Sequence, residues 1–309
     1  MALDGPTLTL GLMNFSTAAP ADAWGSLLER ARLADAAGVD RLFVVDHVVM
    51  GSDLDAYDGG RFPTGPDGHW LEPLTTLAVI AGQTTRIRLS TAIIVAALRP
   101  AALLAKTLAT LDVLSGGRMD LGVGVGWQAR EYEAVGVDFA TRGRILDDTL
   151  GAVRALWGSD PVSYTSDHIS FSDVWCAPKP VQPGGVPIWV SGRINARTLH
   201  RMVTYGDGWI PWGSHIRDVA PGIATVREAL EAAGRDPRAF EVRGSLRVDT
   251  DADGRLDLDG AMASVPALVE AGVTDFAAGV QLLDDPAASA GQLHELVHAF
   301  RTTVGRPLP

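Results

Sequence analysis

The chain carries a single cysteine, Cys176, and only two lysines, Lys106 and Lys179. One cysteine excludes an internal disulfide and fits a reducing compartment. With lysine so scarce, arginine supplies nearly all of the positive charge. Together with the abundant alanine, that points to a GC-rich genome and not to a mechanism. No apolar run reaches the roughly eighteen residues that a membrane-spanning helix needs. The first residues, MALDGPTLTL, lack the basic start and apolar stretch of a signal peptide. A formal net charge of −11 disfavours nucleic acid or an anionic membrane as partner. These absences fit a soluble, cytoplasmic protein acting on a small molecule. An anionic ligand would need a local cluster of arginines.

What is present is 309 residues of 47% apolar composition, enough for one large core or two modest ones. Apolar runs of strand length recur along it: TLTLGLMNF (7–15), RLFVVDHVV (41–49), RIRLSTAIIV (86–95) and MDLGVGVG (119–126). VPIWVSG (186–192), GDGWIPW (206–212), FEVRGSLRV (240–248) and TDFAAGV (274–280) follow. Amphipathic stretches lie between them. AWGSLLERARLADAAG (23–38) has Gly38 where a C-cap belongs, and AALLAKTLATLDVLSGG is opened by Pro100 and closed by Gly116 and Gly117. Parallel neighbours need a crossover, so eight alternating units predict a single (β/α)8 barrel over 1–309. Two segments exceed the unit: a polar loop after strand two (50–70) and a hairpin-like excursion between helix four and strand five (159–185).

The stretch MDLGVGVGW (119–127) spaces Gly122, Gly124 and Gly126 by two residues. A dinucleotide-binding turn needs GxGxxG and an acidic residue about 20 positions on, at the end of the next strand. Here Trp127 stands at the third position and the next strand is distant, so the stretch reads as a strand with one glycine face. Such a face admits another surface closely. That surface is either a packed helix or a flat ligand at the barrel mouth, and spacing alone does not choose.

LLAKTLATLDVLSGGRMDLGVGVGWQAREYEAVGVDFATRGRILDDTL (103–150) resembles the signature region of the bacterial-luciferase-like flavin monooxygenase superfamily. Within it the likeness is greatest to the branch that uses the deazaflavin coenzyme F420. GVDRLFVVDHVV (38–49), EPLTTLAVIAGQTTRIRLSTAIIV (72–95), CAPKPVQPGGVPIWVSGR (176–193) and GDGWIPW (206–212) are similar to the same family. The resemblance covers nearly the whole chain. It implies a barrel with the cofactor ring at the C-terminal ends of the strands.

Asp46 and His47 end strand two, where barrel enzymes place catalytic groups. On residues alone a histidine there is as well explained by satisfying buried polar groups. The resemblance implies instead that His47 lies beside the reacting ring carbon and exchanges a proton near neutral pH, with Asp46 orienting it. It further implies a non-proline cis peptide at Ala92–Ile93, after Thr91, in a bulge that buttresses the ring. Ser191, Gly192 and Arg193 close strand five before a helix start, and hydroxyl, backbone N–H and guanidinium suit a phosphate there. Arg130, opening the helix after strand four, is a second arginine within reach of the cofactor. Sugar-phosphate-oxidising relatives carry a glutamate after the position of Gly126; this chain has Trp127, which argues against a sugar phosphate and leaves the substrate open.

Two motifs compete with this reading. HELVH (294–298) satisfies HExxH, but only RTTVGRPLP follows it nearby, with no third zinc ligand. DTDADGRLDLDG (249–260) resembles a calcium loop but has Gly260 where the bidentate glutamate belongs. The expectation is therefore a metal-free oxidoreductase using coenzyme F420, in a homodimer. The rivals are a reduced-FMN monooxygenase of the same fold, a ligand-binding barrel without turnover, and a zinc hydrolase.

Overall fold

The computed structural model describes residues 5–17, 24–251, 253 and 255–308. The first four residues, Ala23 at the head of the first helical stretch, and Ala252 and Gly254 of the acidic loop lie outside the described residues. Eight strands close a parallel barrel: β1 (Thr7–Gly11), β2 (Arg41–Val44), β3 (Arg88–Thr91), β4 (Met119–Gly124), β5 (Ile188–Gly192), β6 (Gly208–Pro211), β7 (Glu241–Arg247) and β8 (Asp275–Gly279). Each pairs with its sequence neighbours, β8 returns to β1, and β4 pairs with β5. This is the expected (β/α)8 barrel with each strand where the apolar runs placed it.

Helices cover the outside: α1 (Gly25–Ala37), α2 (Pro73–Ala81), α3 (Ala101–Ser115), α4 (Ala129–Ala134), α5 (Arg142–Trp157), α6 (Ala196–Tyr205), α7 (Ala220–Ala232), α8 (Leu258–Ala263), α9 (Val265–Ala271) and α10 (Pro286–Thr303). Gly38 and Gly116 take left-handed conformations, φ 87° and 70°, that end α1 and α3 as their sequence positions require. Alternate strand residues such as Leu8, Leu42, Leu89, Val123 and Phe276 pack with Leu27, Leu77, Leu108 and Leu150 of the helices into one apolar shell. The excursion at 159–185 contains an antiparallel hairpin, Val162–Thr165 with Ser170–Val174.

The other strand face fills the barrel with ions instead of the usual branched aliphatics. Arg41 on β2 donates from Nε to Asp120 on β4 at 2.8 Å and from Nη1 to Asp275 on β8 at 2.5 Å. Neither strand pairs with β2, so these bonds cross the barrel interior. Arg243 donates to the second Asp275 oxygen at 2.6 Å, and Thr7 and Thr9 hydroxyls donate to the first at 2.7 and 2.6 Å. Arg88 completes the Asp120 carboxylate, and Arg41 lies 4.6 Å over the Trp189 ring. Each of these buried charges thus has an ion-pair partner, the condition under which it can leave water, although both Nη atoms of Arg243 are buried without a hydrogen-bond partner.

The two competing motifs find ordinary places. His294, Glu295 and His298 stand on the solvent face of α10, and the His294 ring nitrogen contacts the Ala290 carbonyl at 2.7 Å. No group of three metal-ligating side chains gathers among the described residues. In the acidic segment Thr250 and Leu256 form an antiparallel bridge, and Asp257 caps α8.

Candidate active site

The glycine strand resolves in a way that neither open reading supplied. On β3 and its continuation Ile94–Val95, Ser90 faces Asp120 and Ile94 faces Val123 of β4, four steps on one chain against three on the other. The extra residue makes a bulge, and the peptide between Ala92 and Ile93 inside it is cis, as the resemblance implied. A Cβ on Gly122 would stand 1.9 Å from the Thr91 carbonyl oxygen, and one on Gly124 3.0 Å from the Ile93 side chain. Thr91 locks the approach: its hydroxyl donates to the Gly122 carbonyl at 2.7 Å and accepts from the Gly122 N–H at 3.0 Å. The glycines make room for the neighbouring bulge. Gly126 lies beyond the strand, with φ 64°, against Val95, so the one-face expectation fails at that residue. Gly122→Ala is therefore expected to destabilise the protein by about 3 kcal/mol or more, read from a urea unfolding curve. A change under about 0.5 kcal/mol would contradict the contact.

The end of β2 is shaped by Asn14, whose buried amide accepts from Val45 N–H at 2.9 Å and donates to the Val45 and Leu71 carbonyls. The chain then delivers Asp46 and His47 in succession with opposite fates. Asp46 is turned away: both oxygens accept from Arg99, at 2.7 and 2.9 Å, and Oδ2 also accepts from Val95 N–H at 2.8 Å. The expectation that Asp46 orients His47 is corrected accordingly. Asp46 instead fastens the segment that follows the bulge to the end of β2.

Glu131 takes the orienting position. Its Oε2 lies 3.0 Å from His47 Nδ1, and Oε1 accepts from Val48 N–H at 2.7 Å. It sits in the first turn of α4, fully buried. Gln128 begins that helix, accepting from Arg130 N–H and donating to the Asp53 carbonyl of the 50–70 loop. A carboxylate one turn past a barrel strand is a sequence signal, but nothing in QAREYE distinguishes Glu131 from Glu133. Burial does: Glu133 is exposed and paired with Arg130. That pairing draws Arg130 along its own helix toward solvent.

The mouth is walled by aromatic rings. His47 stands edge-on to Trp70, Phe62 and Trp127, with ring centres 4.7, 5.3 and 5.8 Å away. Tyr57 packs on Phe62, Trp127 and Trp212. Phe62, Trp70 and Tyr57 come from the loop after β2, where residue type alone did not mark them. Across the mouth, Ser191 and Gly192 end β5, and the exposed Arg193 donates to Asp58 at 2.8 Å. Asp58 also accepts from Trp212 Nε1 at 2.9 Å. Asn195 caps α6, accepting from the N–H groups of Arg197 and Thr198, so those two donors are already spent.

A closed parallel barrel with its polar chemistry at the strand C-termini is the class this fold and site define. The chain belongs to the luciferase-like monooxygenase family, which it matches over residues 9–307. It is 27% identical over 271 residues to the 5,10-methylenetetrahydromethanopterin reductase of Methanolobus tindarius, covering 88% of this chain and 75% of that one. It is 28% identical over 223 residues to the F420-dependent hydroxymycolic acid dehydrogenase of Mycobacterium tuberculosis, covering 71% of this chain and 58% of the other. Among solved structures, an F420-dependent secondary alcohol dehydrogenase in complex with an F420-acetone adduct superposes with a TM-score of 0.77 at 19% identity, over 96% and 99% of the two chains.

Proposed function

We propose that the chain is an oxidoreductase that uses coenzyme F420 to move hydride to or from a small organic substrate at the barrel mouth. The observation that carries this reading is His47: a buried carboxylate holds Nδ1, which leaves Nε2 as the nitrogen that exchanges protons. Relatives whose printed names include F420-dependent enzymes support the choice of cofactor. The residues present fit an anionic cofactor. Arg193 and Ser191 lie two residues apart at the end of β5, and at Gly192 a Cβ would press on Thr198 at 3.3 Å, so the backbone there stays bare. When bound, the deazaflavin supplies the ring that accepts or releases hydride.

The chain's own residues do the rest. His47 Nε2 takes the proton of a substrate hydroxyl or returns it to a carbonyl oxygen. Glu131 fixes the tautomer with the proton on Nδ1 and stabilises the imidazolium when it forms. Thr91, Ala92, Ile93, Gly124 and Gly126 set the bulge against which the ring would rest, and Trp127 borders it. Ser191, Gly192 and Arg193 would hold the phosphate, whereas Arg130 reaches it only by leaving Glu133.

Titrating the purified protein with F420 and with FMN tests the reading. Binding of F420 in preference to FMN is the expected result; the reverse preference would favour the reduced-FMN monooxygenase. Arg193→Ala should weaken F420 binding roughly ten- to a hundredfold, since a charge-assisted hydrogen bond contributes about 1.5–3 kcal/mol. Arg193→Lys should recover only part, because lysine lacks the forked geometry. Asp58→Asn should tighten binding, because it removes the carboxylate that competes for Arg193. Equal affinities throughout would place the phosphate elsewhere.

A homodimer belongs to the same reading. Val79 of α2, Leu103 and Leu114 of α3, and Trp175 and Val181 of the segment bonded to α3 are all exposed apolar side chains, the residue type that interaction sites collect. Sedimentation should give twice the chain mass, and Leu114→Glu combined with Trp175→Ser should halve it. A wild-type monomer would remove the inference.

A further inference from the structure

We infer that the substrate of this site is uncharged and apolar, a hydrophobic alcohol or carbonyl compound gripped by the aromatic wall over His47. This rests on the oxidoreductase reading above. With Nδ1 committed to Glu131, a reacting oxygen must reach Nε2, and so must lie among Phe62, Trp70 and Trp127, the rings standing against His47. An ionised group placed there would exchange water for ring carbons, a transfer that strongly disfavours charge. A carboxylate would also meet the negative charge of Glu131.

The arginines near the mouth do not relieve that penalty. Arg99 is held by Asp46 and Glu72, Arg130 by Glu133, and Arg193 by Asp58. Tyr57 extends the apolar surface from Trp127 on the β4 side to Trp212 after β6, so there is aromatic area for a substrate of several carbons. Phe62 and Trp127 are thereby the specificity-determining residues: each touches both His47 and Tyr57.

The test uses the protein loaded with oxidised F420, to which 2-alkanones bind without turning over. Calorimetric titration along the series from 2-butanone to 2-octanone should show the dissociation constant falling about fourfold per added methylene until the wall is covered. 7-Oxooctanoate, which replaces the terminal methyl of 2-octanone with a carboxylate, should bind at least about a hundredfold more weakly. Phe62→Ala and Trp127→Ala should each flatten the dependence on length, with circular dichroism confirming that the variants fold. Affinity independent of length, or a carboxylate that binds as tightly as the ketone, would overturn the proposal. Length-dependent binding with no oxidation of 2-octanol would uphold the apolar site and remove the hydride-transfer reading instead.

Discussion

Replacing His47 with alanine is expected to lower kcat by about a hundredfold or more, while cofactor affinity changes by less than about threefold. The expectation follows from the division of labour at the end of β2. His47 meets aromatic rings and one carboxylate, and none of its observed partners is a phosphate donor. Its loss removes a proton-transfer group and leaves Arg193 and Ser191 untouched. Glu131→Gln supplies the second arm. It keeps an acceptor for Val48 N–H but withdraws the charge that favours the imidazolium, so kcat should drop about tenfold or more at unchanged KM. Wild-type turnover in His47→Ala, measured at saturating cofactor, would make the histidine a structural residue.

The second large effect lies at the other end of the barrel. Asp275→Asn should destabilise the protein by about 3–5 kcal/mol, the range expected when one partner of a buried ion pair is removed. Burial alone would push this carboxyl up, but Arg243, Arg41 and the Thr9 hydroxyl outweigh it and bring the pKa down to about 2. An unfolded aspartate titrates near ~3.9. The folded state therefore binds this proton less readily than the unfolded one. The contribution is fully present above pH ~4 and is lost as pH falls through about 2. Between those limits wild type should lose about 2–3 kcal/mol that Asp275→Asn does not lose. Parallel urea curves at pH 6 and at pH 3 check the sign. Equal acid sensitivity in both proteins would mean that Asp275 is not the group responsible.

The fold was legible because eight apolar runs of strand length carry turn residues between them, and parallel pairing leaves few ways to arrange such units. The interior was not legible. Arg41, Asp120, Arg243 and Asp275 read as polar positions on four separate strands, and only closure of the barrel shows that they face each other. The same limit applies at the mouth. Asp46 adjoins His47 in sequence, yet consecutive residues after a strand point in different directions, and Arg99 claims it. Glu131 lies far along the chain from His47 and becomes its neighbour only because the helix after β4 folds back over the end of β2. Tyr57, Asp58 and Phe62 lie in a loop whose sequence is polar and glycine-rich, so their contacts with Trp212, Arg193 and His47 follow from tertiary placement alone.

The interior ion cluster also bears on the order in which the protein can be made. Thr7 and Thr9 on the first strand and Arg41 on the second share a carboxylate, Asp275, that belongs to the last. Until β8 is synthesised a chain emerging from the ribosome holds Arg41 and Arg88 with Asp120, joined later by Glu241 of β7 beside Arg41, and Arg243 must wait for Asp275. Until then the hollow of the barrel keeps an excess of positive charge and open sheet edges, so the early strands cannot settle as a finished subdomain. Closure is deferred until β8 has been made. A polypeptide stopped before residue 275 lacks both the strand that seals the sheet and the Asp275 carboxylate that pairs with Arg41 and Arg243.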